Sequence, residues 1–74
     1  MNPKNDMIRF ALSGDYIELI QLLKATNLAE SGGAAKKMVD DGLVKLNDKV
    51  EYRKRAKLRK GDRIKTGSCL IVIE

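Results

Sequence analysis

The sequence predicts an α+β fold in which an αα-hairpin of two short helices packs on a small antiparallel sheet. Apolar residues follow a helical period between residues 16 and 42, and the period changes to two after Gly42. The element order, strand, helix, helix and then short strands, is typical of an α+β domain. Because domains usually hold about 100–150 residues, the 74 residues predict one domain over 1–74. We expect residues 1–6 to be flexible and a core motif over residues 16–74.

The first part of the chain predicts a strand and then a helix. Residues 7–12 are mostly apolar and are followed by Ser13-Gly14-Asp15, a turn-forming sequence. In residues 16–26, polar side chains recur at every third position, as in a helix with most of its circumference buried. Asp15 is the predicted N-cap, and Glu18 three residues later completes a pattern similar to a capping box.

A second helix is predicted between Ser31 and Gly42. Ser31 can accept a hydrogen bond from the first turn, and Gly42 suits the left-handed conformation that ends many helices. A connection of about five residues suits an αα-hairpin. Beyond Gly42, alternating apolar residues predict short strands, ending in a buried strand over residues 69–73. The strands are separated by predicted turns at residues 47–49, 60–62 and 66–68.

The composition excludes several classes of function. The sequence has no histidine, the usual general base and a common zinc ligand. Its one cysteine, Cys69, is expected to be a small core residue, and the lack of a disulfide pair favours the reducing cytoplasm. No apolar run approaches the ~20 residues that span a bilayer. We find no nucleophile–base pair or metal-ligand cluster. We therefore expect no enzymatic activity, cofactor, metal, small-molecule substrate or membrane partner.

The positive charge is concentrated in one third of the chain. The sequence carries 15 basic and 10 acidic residues, for a net charge of +5. Residues 45–65 hold ten of the basic residues and three of the acidic ones, so that this stretch carries +7. The rest of the chain holds five basic and seven acidic residues, or −2. Such a concentration of positive charge favours a polyanion as partner.

The densest part is the segment Arg53-Lys54-Arg55-Ala56-Lys57-Leu58-Arg59-Lys60, here called the basic segment. If the segment is extended, alternate side chains point the same way. Arg53, Arg55, Lys57 and Arg59, here called the cationic row, would then share one side. Guanidinium groups bind phosphate oxygens in pairs, so that this composition favours nucleic acid. The alternative is an ordinary solvated surface, which most charge runs are.

Two further features allow both a binding and a structural interpretation. Gly32-Gly33 opens the second helix with backbone N–H groups that no side chain covers, which suits phosphate, but it also suits a tight turn between helices. Lys36 and Lys37 would add cations beside these amides, or would simply be solvated and paired with Asp40 and Asp41 four residues later. Asn47 is expected to serve its turn first and a ligand second.

The order of these motifs resembles the ribosomal protein S-four RNA-binding domain, also called the alpha-L motif. The resemblance covers residues 16–74, most of the chain. The matching motifs are Ser31-Gly32-Gly33-Ala34-Ala35-Lys36, then Gly42, Val44, Leu46 and Asn47, and finally Lys60-Gly61-Asp62-Arg63-Ile64. Glu30-Ser31-Gly32-Gly33 and Glu51-x-Arg53-Lys54-Arg55 more specifically resemble the small stand-alone bacterial YbcJ-like RNA-binding proteins.

The resemblance implies a helical hairpin and small sheet whose shared groove binds structured RNA, commonly ribosomal or transfer RNA. It places Ser31, Lys36, Lys37, Lys45 and Asn47 near that surface. Many family members have an arginine directly after the helix-opening serine, where this sequence has Gly32. The loss of that side chain would shift RNA binding to backbone amides and the basic segment.

We therefore predict a cytoplasmic, monomeric, non-catalytic protein that binds structured RNA, with the ribosomal subunit as a candidate partner. A helix-turn-helix-like DNA-binding module and a protein-interaction module for an acidic partner are the alternatives. The predicted RNA-binding residues are Ser31, Gly32, Gly33, Lys36, Lys37, Lys45, Asn47, Lys49, Arg53, Lys54, Arg55, Lys57, Arg59 and Lys60.

Overall fold

The computed structural model describes residues 6–74 and confirms the α+β class. The predicted flexibility of residues 1–5 lies outside the described residues, and Asp6 begins a strand instead. In chain order, the elements are β1 (Asp6–Phe10), β2 (Ile17–Glu18), α1 (Leu19–Ala25), α2 (Gly32–Asp40), β3 (Val44–Leu46), β4 (Lys49–Val50), β5 (Lys57–Leu58), β6 (Arg63–Thr66) and β7 (Cys69–Ile73).

Five of the strands form one sheet in the order β1-β7-β6-β3-β4. The pairs β7–β6, β6–β3 and β3–β4 are antiparallel, as predicted. The first strand differs from the prediction because it pairs in parallel with β7, with Ile8 opposite Ile71. This parallel pairing is possible because two helices and five other strands separate β1 from β7, whereas a tight turn would force antiparallel pairing. The sheet is therefore mixed.

The start of the first helix also differs from the prediction, which placed its N-cap at Asp15. The helix starts at Leu19, and Glu18 is the N-cap, with an extended backbone. Ile17 and Glu18 instead form β2, which pairs antiparallel with Leu58 and Lys57 of β5. The N–H of Glu18 donates to Gln21 Oε1 at 3.3 Å, which fixes the first turn. A distant strand thus holds these two residues extended.

Both helices end in a left-handed residue that redirects the chain. After α2, Gly42 has φ +73°, and its N–H and that of Leu43 donate to the carbonyls of Val39 and Met38. This arrangement is a Schellman motif, in which the left-handed residue favours glycine. The same pattern follows α1, with Asn27 at φ 63°. The predicted role of Gly42 is confirmed.

The helices cover one face of the sheet. The buried core joins Leu19, Leu22 and Leu23 of α1 and Val39 of α2 to inward-facing residues of the sheet, among them Val44, Ile64 and Ile71. Cys69, as predicted, is buried. Burial, and secondarily the Asp6 carboxylate, raises the pKa of its thiol. The core therefore separates a helical layer from the sheet.

The other face of the sheet has no helix against it in residues 6–74. Side chains alternate along each strand, so residues next to the inward-facing ones point outward. We call this surface the open sheet face. It is formed by Met7, Arg9, Lys45, Val50, Arg63, Lys65, Leu70 and Val72.

The two helices contain seven and nine residues. Neither helix of the described chain has the length and apolar character needed to cross a membrane.

We predict that Gly42→Ala destabilises the protein more than Gly67→Ala. Both glycines have positive φ, +73° and +61°, so alanine at either position costs about 1–2 kcal/mol of backbone strain. At Gly42 a Cβ atom would also meet Tyr52 Oη at 3.0 Å, whereas nothing lies within 4 Å at Gly67. Urea unfolding measures the free energy of unfolding of both variants. Adding Tyr52→Phe to Gly42→Ala should recover part of the loss, and equal losses for the two alanine variants would contradict the role of this contact.

Candidate nucleic-acid interface

The basic segment is fixed to the beginning of α1 through its backbone. The carbonyl of Ala56 accepts from Leu19 N–H at 2.9 Å, and the carbonyl of Lys54 accepts from Ile20 N–H at 3.2 Å. Ala56 and Leu58 are buried in the core. These contacts satisfy amides that a helix start leaves without intrahelical partners. They also hold a densely charged segment in one place.

The extended conformation, on which the shared side of the cationic row was conditional, holds for only part of the basic segment. A turn occupies residues 54–55, with Ala56 N–H donating to the Arg53 carbonyl at 3.1 Å, and only β5 is a strand. In this conformation the carbonyls of Lys54 and Ala56 both reach the start of α1. The side chains of the cationic row nevertheless stay exposed, because the alternate residues Ala56 and Leu58 enter the core. All four members of the row line one shallow depression.

Glu51 holds Arg53 in a fixed orientation. Its carboxylate accepts from Arg53 Nε at 3.0 Å, from Nη2 at 3.1 Å and from the backbone N–H of the same residue at 2.9 Å. The hydrogen bond from the guanidinium is the main reason why the pKa of Glu51 is lowered. The same interaction raises the pKa of Arg53. The Nη1 side of the guanidinium keeps its donors for a ligand.

Glu18, which lies 37 positions away in the sequence, holds Arg55 in a fixed orientation in a similar way. Arg55 Nε lies 3.3 Å from both carboxylate oxygens of Glu18. This pair uses the Nε–H, so the terminal Nη1 and Nη2 groups remain available as donors. The carboxylate lies on β2 and the guanidinium lies just before β5, so that the β2–β5 pairing brings them together.

Tyr16 supports the other two members of the row. Lys57 Nζ lies 4.9 Å from the centre of its ring, and the Arg59 guanidinium carbon lies 5.8 Å from it. Both distances are within the range of a cation–π interaction. Sequence reasoning did not identify Tyr16, Glu18 or Glu51 as part of the site. For Tyr16 and Glu18 no local signal was available, because their contacts depend on the β2–β5 pairing. The proximity of Glu51 to Arg53 in the sequence was a usable signal.

Lys54 belongs to the basic segment but not to the cationic row, and its side chain pairs with the second helix. Its Nζ is 2.7 Å from Asp40 Oδ1, at the end of α2. The expected pair between Lys36 and Asp40 is therefore replaced by this tertiary ion pair, while Lys37 pairs with Asp41 at 3.4 Å as expected. Lys54 links the basic segment to the second helix.

Asn47 has the structural role that its turn predicted. Its φ is +49°, and Asp48 follows at +75°, as in a tight hairpin turn. Its Oδ1 accepts from Arg63 N–H at 2.9 Å, and its Nδ2 donates to Asp62 Oδ1 at 3.1 Å. Asp62 in turn accepts from Arg59 N–H at 2.8 Å. Asn47 thus braces two turns and the end of the basic segment.

The remaining predicted residues lie outside the cationic row. Ser31 caps α2, as predicted, by accepting from Ala34 N–H at 3.1 Å. Within residues 6–74, the structure has no hydrogen bond or ion pair that joins Ser31, Gly32, Gly33, Lys36 or Lys37 to the row. Lys45 and Lys49 point to opposite sides of the sheet, because Lys45 pairs with Val50 and Leu46 pairs with Lys49. Lys60 lies exposed in the turn before β6.

Comparison with known families identifies the fold. The S4 domain family matches residues 10–74, nearly the whole chain. This protein belongs to the S4-domain family. Its sequence is 41% identical over 49 residues to the putative RNA-binding protein YbcJ of Escherichia coli K12. The match covers 66% of this chain and 70% of YbcJ. The protein YbcJ of Shigella flexneri matches with the same identity and coverage.

The known three-dimensional structure of a relative supports the assignment to the S4-domain family. The solution structure of Escherichia coli YbcJ, described as revealing an alfaL motif involved in RNA-binding, superposes with a TM-score of 0.68. The sequences are 33% identical, and the match covers 97% of this S4-domain chain and 95% of YbcJ. The similarity therefore includes β1, which lies mostly before the family match.

We predict that the pairing of Glu51 with Arg53 stabilises the folded state at pH values above the pKa of Glu51 in the unfolded chain, which is about 4.3. This stabilisation is lost as the pH falls. The sign follows from the lowered pKa of Glu51, because a carboxyl group with a depressed folded pKa binds a proton more readily when unfolded. Glu51→Gln should be less stable than the wild type at neutral pH. The difference should shrink as pH falls through the folded pKa.

Urea unfolding between pH 2.5 and 7 measures the effect, with Glu30→Gln as the control. Glu30 is an exposed carboxylate with no ion pair in the described chain. An equal pH dependence for wild type and Glu51→Gln would contradict the role of the Arg53 pair.

Proposed function

We propose that this S4-domain protein is a non-catalytic RNA-binding protein that holds structured RNA, ribosomal or transfer RNA, by its phosphate backbone. The observation that carries the proposal is the cationic row, four exposed cations on one side of a segment anchored in the core. The putative RNA-binding function of YbcJ supports it. The absence of histidine from the sequence supports a binding role over acid–base catalysis.

The chemistry of the row suits phosphate oxygens. Arginine forms paired hydrogen bonds with phosphate, and Glu51 and Glu18 already fix the orientation of Arg53 and Arg55. A side chain that is fixed before binding loses less conformational entropy when RNA binds. The sequence has only three aromatic residues, 4% of the chain, and Tyr16 lies beneath two cations of the row. Recognition therefore depends on the shape and backbone of folded RNA more than on stacking with bases.

We propose a wider RNA footprint that includes neighbouring cations and amides. Lys49 is exposed in β4, and Lys60 is exposed in the turn that ends the basic segment. The first turn of α2 presents Gly32 and Gly33 without a side chain that would block an approaching phosphate. Lys36 and Lys37 lie on the same helix. We further propose that the protein acts as a monomer in the cytoplasm, with the ribosomal subunit as its candidate partner.

Two other partners remain as alternatives to test. Duplex DNA would require a recognition helix that reads base edges, but α2 contains two lysines, no arginine and one aspartate. An acidic protein would pair with the same cations. The row favours RNA over an acidic protein because three of its four members are arginines, whose planar donors match phosphate.

We predict that Arg53→Gln/Arg55→Gln/Arg59→Gln weakens binding to a folded RNA hairpin by about 10- to 100-fold in moderate salt. Each lost phosphate contact should also reduce the slope of log Kd against log salt by about 0.7–0.9. Fluorescence anisotropy between 50 and 200 mM salt measures both quantities. Circular dichroism checks that the variant is folded.

Single substitutions give a matched comparison. Arg59→Gln and Lys24→Gln each remove one positive charge, and neither side chain forms an ion pair in the described chain. Arg59→Gln should weaken RNA binding more, because only Arg59 lies in the row. Equal effects would show that net charge alone attracts RNA. Tighter binding to DNA of matched length, or partners that survive nuclease treatment, would favour the two alternatives.

A further inference from the structure

The open sheet face carries a second group of cations that the cationic row does not include. Two lines of paired residues cross the open sheet face from strand to strand. The first runs from β1 to β4 through Met7, Leu70, Lys65, Lys45 and Val50. The second joins Arg9, Val72 and Arg63. All four cations are exposed.

Lys45 and Lys65 are directly opposed on β3 and β6. Like charges at opposed positions of an antiparallel pair are destabilising. The two lysines also lie in the middle of the first line of paired residues, while exposed Met7 and Val50 lie at its two ends. The acidic groups near this face are few. Asp48 lies 3.7 Å from Arg63, and Asp6 lines a depression with Met7 and Lys65. The face therefore keeps an excess of positive charge.

The core separates this face from the cationic row. Lys45 and Lys65 alternate with Val44, Leu46 and Ile64, which face the helical layer. The members of the cationic row alternate with Ala56 and Leu58, which are buried in the same core. The two groups of cations consequently lie on different surfaces of the same core. The structure extends 36 × 26 × 23 Å along its principal axes, so each of the two surfaces can contact a separate RNA segment.

The composition of the open sheet face favours RNA over a protein partner. The centres of protein–protein interfaces are depleted in lysine and enriched in aromatic residues. Here the centre is a pair of lysines, and the face has no aromatic residue in the described strands. Protein–nucleic acid interfaces are much more positively charged than protein–protein interfaces. Lysine side chains are flexible point charges that can follow a phosphate backbone of any geometry.

From these observations we propose that the open sheet face is a second RNA-backbone site and that one protein molecule bridges two RNA segments. This inference rests on the proposed function, because the first segment is held at the cationic row. Lys45 and Lys65 are the central residues of the second site, and Arg9 and Arg63 flank them. Bridging would favour the approach of two helices of one folded RNA, or of two RNA strands.

The test uses two short RNA duplexes of about twelve base pairs, one with a donor fluorophore and one with an acceptor. The wild-type protein should bring them together, so that energy transfer rises with protein concentration. Transfer should fall again at excess protein, because each duplex then binds separate molecules. Anisotropy of a single labelled duplex measures binding in the same samples.

The decisive variant is Arg9→Gln/Lys65→Gln, which removes two exposed cations of the open sheet face. It should reduce the maximal energy transfer by about fivefold or more, while the anisotropy affinity changes by less than about threefold. Lys65→Gln removes one of two opposed like charges, so the variant should melt at the same or a higher temperature than the wild type. Lys65→Gln and Lys24→Gln form a matched pair of single charge losses, and only Lys65→Gln should reduce energy transfer.

The outcomes separate the two proposals. If no anisotropy change occurs at any concentration, RNA binding itself fails, and the bridging inference fails with it. Anisotropy without energy transfer would overturn bridging and leave the proposed function intact. Full transfer by Arg9→Gln/Lys65→Gln would also overturn it, since bridging would then arise elsewhere, for example from a protein dimer. Binding of an acidic protein at this face without energy transfer between RNAs would overturn the choice of RNA as its partner.

Discussion

The structure depends on the attachment of the basic segment to the beginning of α1. The carbonyls of Lys54 and Ala56 satisfy the first free amides of the helix, and Leu58 is fully buried beside them. Burial of a leucine contributes about 1.5–3 kcal/mol. Repulsion between two exposed charges in water is about 1 kcal/mol even at 4 Å. Apolar burial and backbone hydrogen bonds therefore outweigh the repulsion within the basic segment, and its cations can stay concentrated on one surface.

That attachment also explains why the cationic row is ordered by residues from other segments. Tyr16 precedes β2 and Glu18 lies in it, and β2 meets the basic segment through β5. Glu51, which directly follows β4, accepts a hydrogen bond from Arg53. The carboxylates and the ring hold the cations apart and in fixed directions. The acidic residues near the row lower its net charge, but they leave arginine donors free and reduce the entropy that RNA binding would remove.

The mixed sheet determines how the rest of the positive charge is distributed. Alternation along β3 and β6 sends Val44, Leu46 and Ile64 into the core and Lys45 and Lys65 to the open side. The parallel addition of β1 extends that side and brings Arg9 into register with Val72. The charge that the sequence concentrates in residues 45–65 is thus divided between the cationic row and the open sheet face. Of the predicted residues, Lys45 lies on the open sheet face, whereas Arg53, Arg55, Lys57 and Arg59 form the cationic row.

The sequence by itself determined the features that depend on local geometry. The Ser31 cap, the left-handed Gly42, the Asn47 turn, the buried Cys69 and the alternation along the basic segment all follow from a residue and its near neighbours. It did not determine the start of α1, the parallel strand or the partner of Asp40. The Glu18–Arg55 pair shows why, because its partners lie 37 positions apart in the chain. Tertiary pairing overrode the local preference of Asp15 and decided which cations share a surface, since the energy of long-range backbone pairing and core burial exceeds that of a helix cap.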